Sequence, residues 1–337
     1  MNGARAVMAH DFGPPETLRL ELCDPGAPGP GEVRIQVHAA GVSFVDVLVA
    51  AGEYQLKPPL PFIPGSEFAG VIEAVGSGVP RCRLGERVCA VGFGAAFSET
   101  ALVKAKLALP IPHAMDFATA AVFRVSYATA YHALVQRARL KPGETVLVLG
   151  AGGALGYAAV EIAKALSARV IGSASSEAKR SLALRGGASA VIDSGSPTWR
   201  EDLRVAAGGK AVDVVVDPVG GAATEAAFRA LGWNGRHLVI GFAGGAIANL
   251  PVNLALLKGA ALIGVDIRRF GEIEPVVAGE NLQTLFRLYR AGQLSPVVAQ
   301  SYPLDAFVEA MKTARAGQTA GRIVLTMPAA DTGDSKR

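Results

Sequence analysis

The stretch Gly150-Ala151-Gly152-Gly153-Ala154-Leu155-Gly156 carries the strongest chemical signal in the chain. It follows an apolar run, residues 145–149, whose composition suits a buried strand. After it, Leu155, Ala158, Ala159, Ile162, Ala163 and Leu166 recur with helical spacing. Glycines between a strand and a helix let the backbone turn sharply and approach a pyrophosphate. The helix start then offers unpaired N–H groups to that anion. The spacing is Gly150-x-x-Gly153-x-x-Gly156, and no Gly-Lys-Ser/Thr follows, which excludes the phosphate loop of nucleotide hydrolases. A turn serving only tight packing is the plainer reading, and the flanking elements argue against it.

The next strand ends in Ser173-Ala174-Ser175-Ser176, followed by Lys179 and Arg180. A carboxylate at this strand end would hold the ribose 2′-hydroxyl of NAD. Ala174 stands there instead, with hydroxyls and cations suited to a 2′-phosphate close behind. NADPH is the expected cofactor, held by Gly150, Gly152, Gly153, Ala154, Leu155, Gly156, Ser173, Ala174, Ser175 and Lys179. In an open α/β sheet, ligands meet the carboxyl ends of the strands. Gly220, the turn Gly241-Phe242-Ala243 and Val265 occupy such ends, so they join the expected cofactor site.

These residues need a sheet to position them. Six apolar strand candidates (145–149, 169–173, 190–193, 212–217, 236–240 and 261–265) are mostly separated by helical patterns. That alternation predicts βαβ units and a parallel sheet covered on both faces. Residues 116–140 read as Ala-rich helix. The first 110 residues differ. Short alternating stretches at 17–22, 32–38, 70–75, 87–91 and 101–104 lie between Gly/Pro clusters, which predicts a β-rich, barrel-like domain. Beyond residue 268 follow an amphipathic helix bearing Leu282, Leu285, Phe286 and Tyr289, a helix at 304–314, and a strand at 322–325 that rejoins the barrel. The expected division is 125–265 for the Rossmann cofactor domain, with 1–124 and 266–337 forming the other.

At 337 residues, the chain has room for two cores. Its net charge of +4, without a basic stripe interleaved with aromatics, gives no support for nucleic-acid binding. The odd set Cys23, Cys82 and Cys89 has no CxxC pair, which argues against a disulfide framework and for a reducing compartment. No stretch reads as a membrane span or, within 1–12, as a signal peptide. A cytoplasmic protein is expected, with a frayed polar tail after Met327.

Two dehydrogenase classes are excluded. None of the six tyrosines is followed by lysine four residues on, as short-chain dehydrogenases require, and the glycine turn lies too far from the N-terminus for a hydroxy-acid dehydrogenase. The order of barrel, nucleotide domain and return to the barrel resembles the medium-chain dehydrogenase/reductase superfamily. Its zinc-independent quinone oxidoreductase (zeta-crystallin-like) branch is matched by Gly41-Val-Ser-Phe-Val-Asp46, Gly52-Glu-Tyr54, Pro64-Gly-Ser-Glu-Phe-Ala-Gly-Val71, Gly85-Glu-Arg-Val88, Lys141-Pro-Gly-Glu-Thr-Val146, Asp217-Pro-Val-Gly-Gly221 and Gly321-Arg-Ile-Val-Leu325. The likeness runs from Arg5 to about Met327. It implies an α/β fold: a Rossmann domain with a GroES-like N-terminal catalytic domain.

Zinc alcohol dehydrogenases of this superfamily place ligands where this chain has Ser43, Ser66 and Val125, and the four-cysteine structural lobe is missing. No metal is therefore expected. Without a Lewis acid a plain ketone is hard to polarise, whereas quinones and enones spread the incoming charge into a conjugated oxygen.

The resemblance places Ser43 and Thr129 beside the nicotinamide ribose, although Ser43 replaces the family's usual Asn. It also puts Tyr54 at the border of the substrate pocket and Arg322 near the cofactor phosphates. Tyr54 could equally pack on the barrel. Asp46 reads either as a polar group near the pocket or as a loop cap, and Glu67 as structural. Arg124, Arg268 and Arg269 have two open readings: cations that select an anionic substrate, or a salt-bridged hinge with Asp266. Ser43, Tyr54 and Arg124 form the catalytic set. None of the five histidines shows a relay spacing.

The expected activity is NADPH-dependent reduction of quinones or activated enones by a homodimer. The alternatives are an acryloyl-type reductase acting on an anionic enoyl substrate or CoA thioester, and a non-catalytic NADPH-binding protein.

Overall fold

The computed structural model describes residues 3–92 and 94–328, so the polar tail expected to fray lies outside the described residues. The chain divides into two compact units. One comprises the residues up to Arg124 together with those from Val298 onward, and the other runs Val125–Val297.

In the first unit, β1 (Ala4–Met8) pairs with β2 (Arg19–Cys23) as an antiparallel hairpin. The long β3 (Glu32–Val42) runs into α1 (Phe44–Ala50), and β4 (Glu67–Val75), β5 (Arg87–Val91), β6 (Thr100–Lys104) and β7 (Ala108–Pro110) follow. β3 shows why a strand forms. Val33, Ile35 and Val37 alternate inward to the core, with Arg34, Gln36 and His38 between them. α2 (Phe117–Ala120) is capped by the Asp116 carboxylate, which accepts from Thr119 N–H.

At the start of the second unit, α3 (Arg124–Tyr131) passes into a π-helical stretch, His132–Arg137. Six parallel strands follow: β8 (Thr145–Leu149), β9 (Arg169–Ala174), β10 (Ala190–Asp193), β11 (Val212–Asp217), β12 (Leu231–Val239) and β13 (Ala261–Gly264). The helices between them are α4 (Ala154–Ala165), α5 (Glu177–Gly186), α6 (Trp199–Ala206), α7 (Ala222–Arg229) and α8 (Asn253–Lys258). The strand order is β10-β9-β8-β11-β12-β13, the doubly wound arrangement whose switch point lies between β8 and β11. α4 is buried on more than its expected apolar face: Tyr157, Val160 and Glu161 are covered too.

The unit continues through α9 (Ile267–Ile273) and α10 (Pro275–Arg290). Sequence reading assigned 266–297 to the other unit, but this segment belongs to the compact unit of the nucleotide sheet. Phe270 stacks on His132 at 3.8 Å, and the Asn281 and Gln136 amides exchange two hydrogen bonds. Ser295 N–H donates to the buried Glu161 carboxylate at 2.9 Å, and Tyr127 donates to the same carboxylate. Amphipathic periodicity marks a buried face without saying which sheet it covers.

The chain then returns to the first unit through β14 (Val298–Pro303), α11 (Phe307–Ala316) and β15 (Arg322–Thr326). β15 pairs antiparallel with β3, joining Ile323 to Val42, so the last strand rejoins the sheet of the first unit as expected.

Candidate active site

In the second unit the site is built from the carboxyl ends of the strands. Gly150 has φ +62°, a left-handed conformation that favours glycine. A Cβ at Gly156 would lie 2.1 Å from the Gly150 carbonyl oxygen, so helix and turn pack backbone to backbone. Gly153 caps α4 without any side-chain cap, and the first intrahelical bond is Tyr157 N–H to Gly153 O. The amides of Ala154, Leu155 and Gly156 thus precede the helical ladder, beside a turn whose Gly150, Gly152 and Gly153 carry no Cβ.

At the end of β9, Ala174 is buried and Ser175 exposed. Ser176 caps α5 by accepting from Lys179 N–H. Arg180 is committed internally, pairing with Asp193 at 3.0 Å and donating to Ala174 O. The Lys179 stem lies against Gly152, and burial lowers its ammonium pKa. The Ser173 hydroxyl is buried and accepts the Trp199 indole N–H at 3.1 Å, so it braces the strand end.

Asp217, at the end of β11, organises the next turn. One carboxylate oxygen accepts from the N–H groups of Val219 and Gly220, and the other from the Thr224 hydroxyl, with His237 Nε2 at 3.0 Å. Burial works against its charge, but the contacts with His237, Gly220 and Thr224 outweigh that and hold Asp217 below the usual carboxylate range. The pair is almost fully buried, at 0% for His237 and 1% for Asp217. It is a turn-bracing device between strands β11 and β12, and sequence reading missed it. Asp at a strand end before Gly-Gly was its only trace. Gly220 packs on Phe242, where a Cβ would lie 2.8 Å from the ring, and Val265 N–H donates to Val239 O. The turns after β11, β12 and β13 therefore form one edge with the glycine turn. Thr129 is buried, and its hydroxyl donates to Val125 O at 2.7 Å within its own helix.

The first unit holds a separate polar cluster. Ser43 caps α1 in a reciprocal box with Asp46: its backbone and hydroxyl both meet Oδ2, at 2.8 and 2.6 Å. Ser66 donates to Oδ1 at 3.0 Å. Asp46 is 3% exposed, and burial raises its pKa despite those hydrogen bonds and the Arg322 charge. Asp46 is thus the third-position partner in the capping box of a helix rather than a loop cap.

Arg322, expected to reach the cofactor phosphates, is 8% exposed and lies 3.4 Å from the Glu67 carboxylate. Its charge is already matched within the barrel. Gly41 makes room for this pair, since a Cβ there would lie 3.2 Å from Arg322 Nη2 and 2.4 Å from Ala121 O. Arg124 donates to Leu107 O, with Cys89 and Glu67 as its electrostatic neighbours. Burial pushes the Cys89 thiol up to about 11. Arg268 pairs with Glu272 along α9, while Asp266 caps that helix through Arg269 N–H instead of neutralising a guanidinium. Tyr54 is half-buried and packs against the barrel core.

The dinucleotide fits the glycine edge, as the missing Cβ atoms and uncapped helix start show. Ser43, Ser66 and Val125 stand where the resemblance puts the zinc ligands of alcohol dehydrogenases, and among the described residues no three His, Cys, Asp or Glu side chains group together.

Residues 29–113 match the alcohol dehydrogenase GroES-like domain, and residues 154–279 match the domain family described as zinc-binding dehydrogenase. Mouse quinone oxidoreductase-like protein 2 is 35% identical over 324 residues, covering 96% of this chain and 92% of its own. Human quinone oxidoreductase is 33% identical, with coverages of 96% and 98%. The structure of Escherichia coli quinone oxidoreductase complexed with NADPH superposes with a TM-score of 0.88 at 30% identity, over 96% of this chain and 100% of that one. The chain belongs to the quinone oxidoreductase branch of the medium-chain dehydrogenase/reductase superfamily.

Proposed function

We propose that this protein is an NADPH-dependent, metal-independent reductase of quinones or activated enones. The observation that carries the reading is the glycine edge, where the turn at 150–156 meets Lys179 at a strand end that holds Ala174 in place of an acid. The relatives support it: one is a quinone oxidoreductase solved with NADPH. When bound there, the reduced nicotinamide supplies the hydride. The protein's part is to orient, using the Gly150–Gly156 backbone for the pyrophosphate, Ser175 and Lys179 for the 2′-phosphate, and Gly220, Gly241, Phe242, Ala243 and Val265 along the strand ends. Ser43, Thr129 and Tyr54 are assigned to the nicotinamide and acceptor side.

Neutral acceptors are favoured over anionic ones, because Arg124 is bound to Leu107 O and Arg268 to Glu272. The deciding experiment follows oxidation of NADPH and of NADH against neutral and anionic quinones and enones. Turnover with NADPH and a neutral quinone is the expected result. Tight NADPH binding without turnover of any acceptor would sink it in favour of a non-catalytic binding protein.

A homodimer through the edge strand β13 is part of this reading. Val252 is 87% exposed and Leu256 82%, beside a strand with one unpaired edge. Leu256→Asp should shift the mass measured by light scattering from dimer to monomer. Free Cys23, Cys82 and Cys89 suit a cytoplasmic setting, and no helix among the described residues is long and apolar enough to cross a membrane.

A further inference from the structure

Two cations stand in the first turn of α5, just beyond the end of β9, and they are not equivalent. The Arg180 guanidinium is held between two strands. Its Nη1 donates to Ala174 O at 3.1 Å and lies 3.0 Å from Asp193 Oδ2. Asp193 is the last residue of β10 and the register partner of Ala174 across the parallel pair. Its other oxygen, Oδ1, accepts from Gly195 N–H at 2.9 Å, so the carboxylate is anchored at both oxygens. An acid is therefore present at this corner, one strand away from where NAD-selective sheets carry it.

In a doubly wound sheet the end of the second strand is where the adenosine ribose lies. An acid there takes the 2′-hydroxyl of NAD, and a nearby arginine takes the 2′-phosphate of NADP. Arg180 is in hydrogen-bond contact with the carbonyl of Ala174 itself, so it stands in the place of that arginine. Its charge, however, is already matched.

We propose that Asp193 is a specificity-determining residue: it holds Arg180 in an ion pair away from the 2′-phosphate and so limits the preference for NADPH over NADH. This rests on the reading of the glycine edge as the dinucleotide site. Lys179 is then the cation that reads the phosphate in the native protein, and Arg180 is a second one held in check.

The physical argument is a competition for one guanidinium. Its planar fork suits a phosphate as well as a carboxylate. To reach the phosphate, Arg180 must leave Asp193 as a bare carboxylate beside a second anion, and the like charges then repel. Folding gives no strong reason for the pair. Its side chains are 23% and 45% exposed, and ion pairs this open to water contribute little stability. The strand ends are joined without it, since Ser194 N–H donates to Ala174 O at 3.1 Å beyond the ladder that pairs β9 with β10. Removing the Asp193 charge should thus leave the corner in place and free the guanidinium.

The test is a double-mutant cycle on the whole protein. Dissociation constants for NADPH and for NADH are measured by fluorescence titration at one ionic strength. The proteins are wild type, Asp193→Asn, Arg180→Ala and the double variant. Asn at 193 keeps an oxygen for Gly195 N–H and removes only the charge. Asp193→Asn should tighten NADPH by about 10-fold, as expected of one charge-assisted contact to phosphate, and leave NADH unmoved. Adding Arg180→Ala should cancel that gain, whereas Arg180→Ala in the wild-type background should affect NADPH far less.

Deleting a negative charge near a dianion could itself improve binding, and the double variant separates the two causes. A gain that survives Arg180→Ala overturns the proposal. So does an unchanged NADPH affinity in Asp193→Asn, or equal tightening of both cofactors. A wild type that loses as much NADPH affinity on Arg180→Ala as Asp193→Asn does would show Arg180 already on the phosphate, and overturns it too. Asp193→Ser, whose hydroxyl can also accept from Gly195 N–H, must repeat the result and decides if the asparagine variant does not fold. Loss of NADPH affinity in Lys179→Ala with no effect of Asp193→Asn would keep the glycine edge as the cofactor site and sink the role of Asp193 alone. A wild type that binds neither dinucleotide sinks both.

Discussion

Gly152 and Lys179 are in contact across the cofactor edge: a Cβ on residue 152 would lie 2.5 Å from Lys179 Cβ and 2.7 Å from its Cα. The turn that should take the pyrophosphate is therefore packed against the first turn of α5, which carries the cation for the 2′-phosphate. Because the obstacle includes backbone, a side chain at residue 152 must move a helix. Gly152→Ala should cost about 1–3 kcal/mol of stability, read by urea denaturation. It should also weaken NADPH and NADH together, since the shared turn shifts.

Lys179→Ala tests the other half of that contact. Loss of a charge-assisted hydrogen bond to phosphate corresponds to roughly 10- to 100-fold in Kd. The loss should appear for NADPH and not for NADH in fluorescence titrations. Burial lowers the Lys179 pKa, so NADPH affinity should fall at a lower alkaline pH than an exposed lysine would give. Equal weakening of both cofactors would assign Lys179 to packing alone.

Asp217 links the turn at Gly220 to His237 and Thr224 inside the sheet edge. Its folded-state pKa is lowered, so its contribution to stability is present above the unfolded value near 4 and disappears as pH falls through the folded value. Asp217→Asn should lower stability at neutral pH by about 1–3 kcal/mol and flatten the wild-type loss of urea midpoint below about pH 4. A parallel acid limb in the variant would place the acid sensitivity elsewhere.

Arg124 should prove structural. Its guanidinium donates to Leu107 O, with Glu67 among its electrostatic neighbours, so Arg124→Met removes a partner from buried polar groups. The variant should unfold at lower temperature, while kcat/KM for anionic and neutral quinones changes by the same factor. A loss confined to anionic acceptors would restore the substrate-selecting role.

Much of the nucleotide domain was legible in the order of residues alone. The apolar run at 145–149, the glycines after it and the i, i+3, i+4 face of α4 are local patterns, each set within one or two turns of chain. Strand β15 was legible for the same reason, as was its return to the barrel through the order of elements. The placement of 266–297 was not, because α10 has an apolar face that either sheet could cover. Its position depends on the Asn281–Gln136 and Ser295–Glu161 contacts, whose partners lie 145 and 134 residues apart.

The sequence by itself determined the kind of ligand edge: a glycine turn between strand and helix, and a strand end with Ala174 where NAD-selective proteins place an acid. Those are properties of residue type and short spacing, which local backbone geometry converts directly into structure. Only the tertiary structure decided which polar groups neutralise one another. Arg322 meets Glu67 across 255 residues, His237 meets Asp217 across 20, and Ser66 meets Asp46 across 20. A buried charge must find its partner wherever sheet register brings one. That register is set by the packing of whole strands, and no short window of sequence contains it.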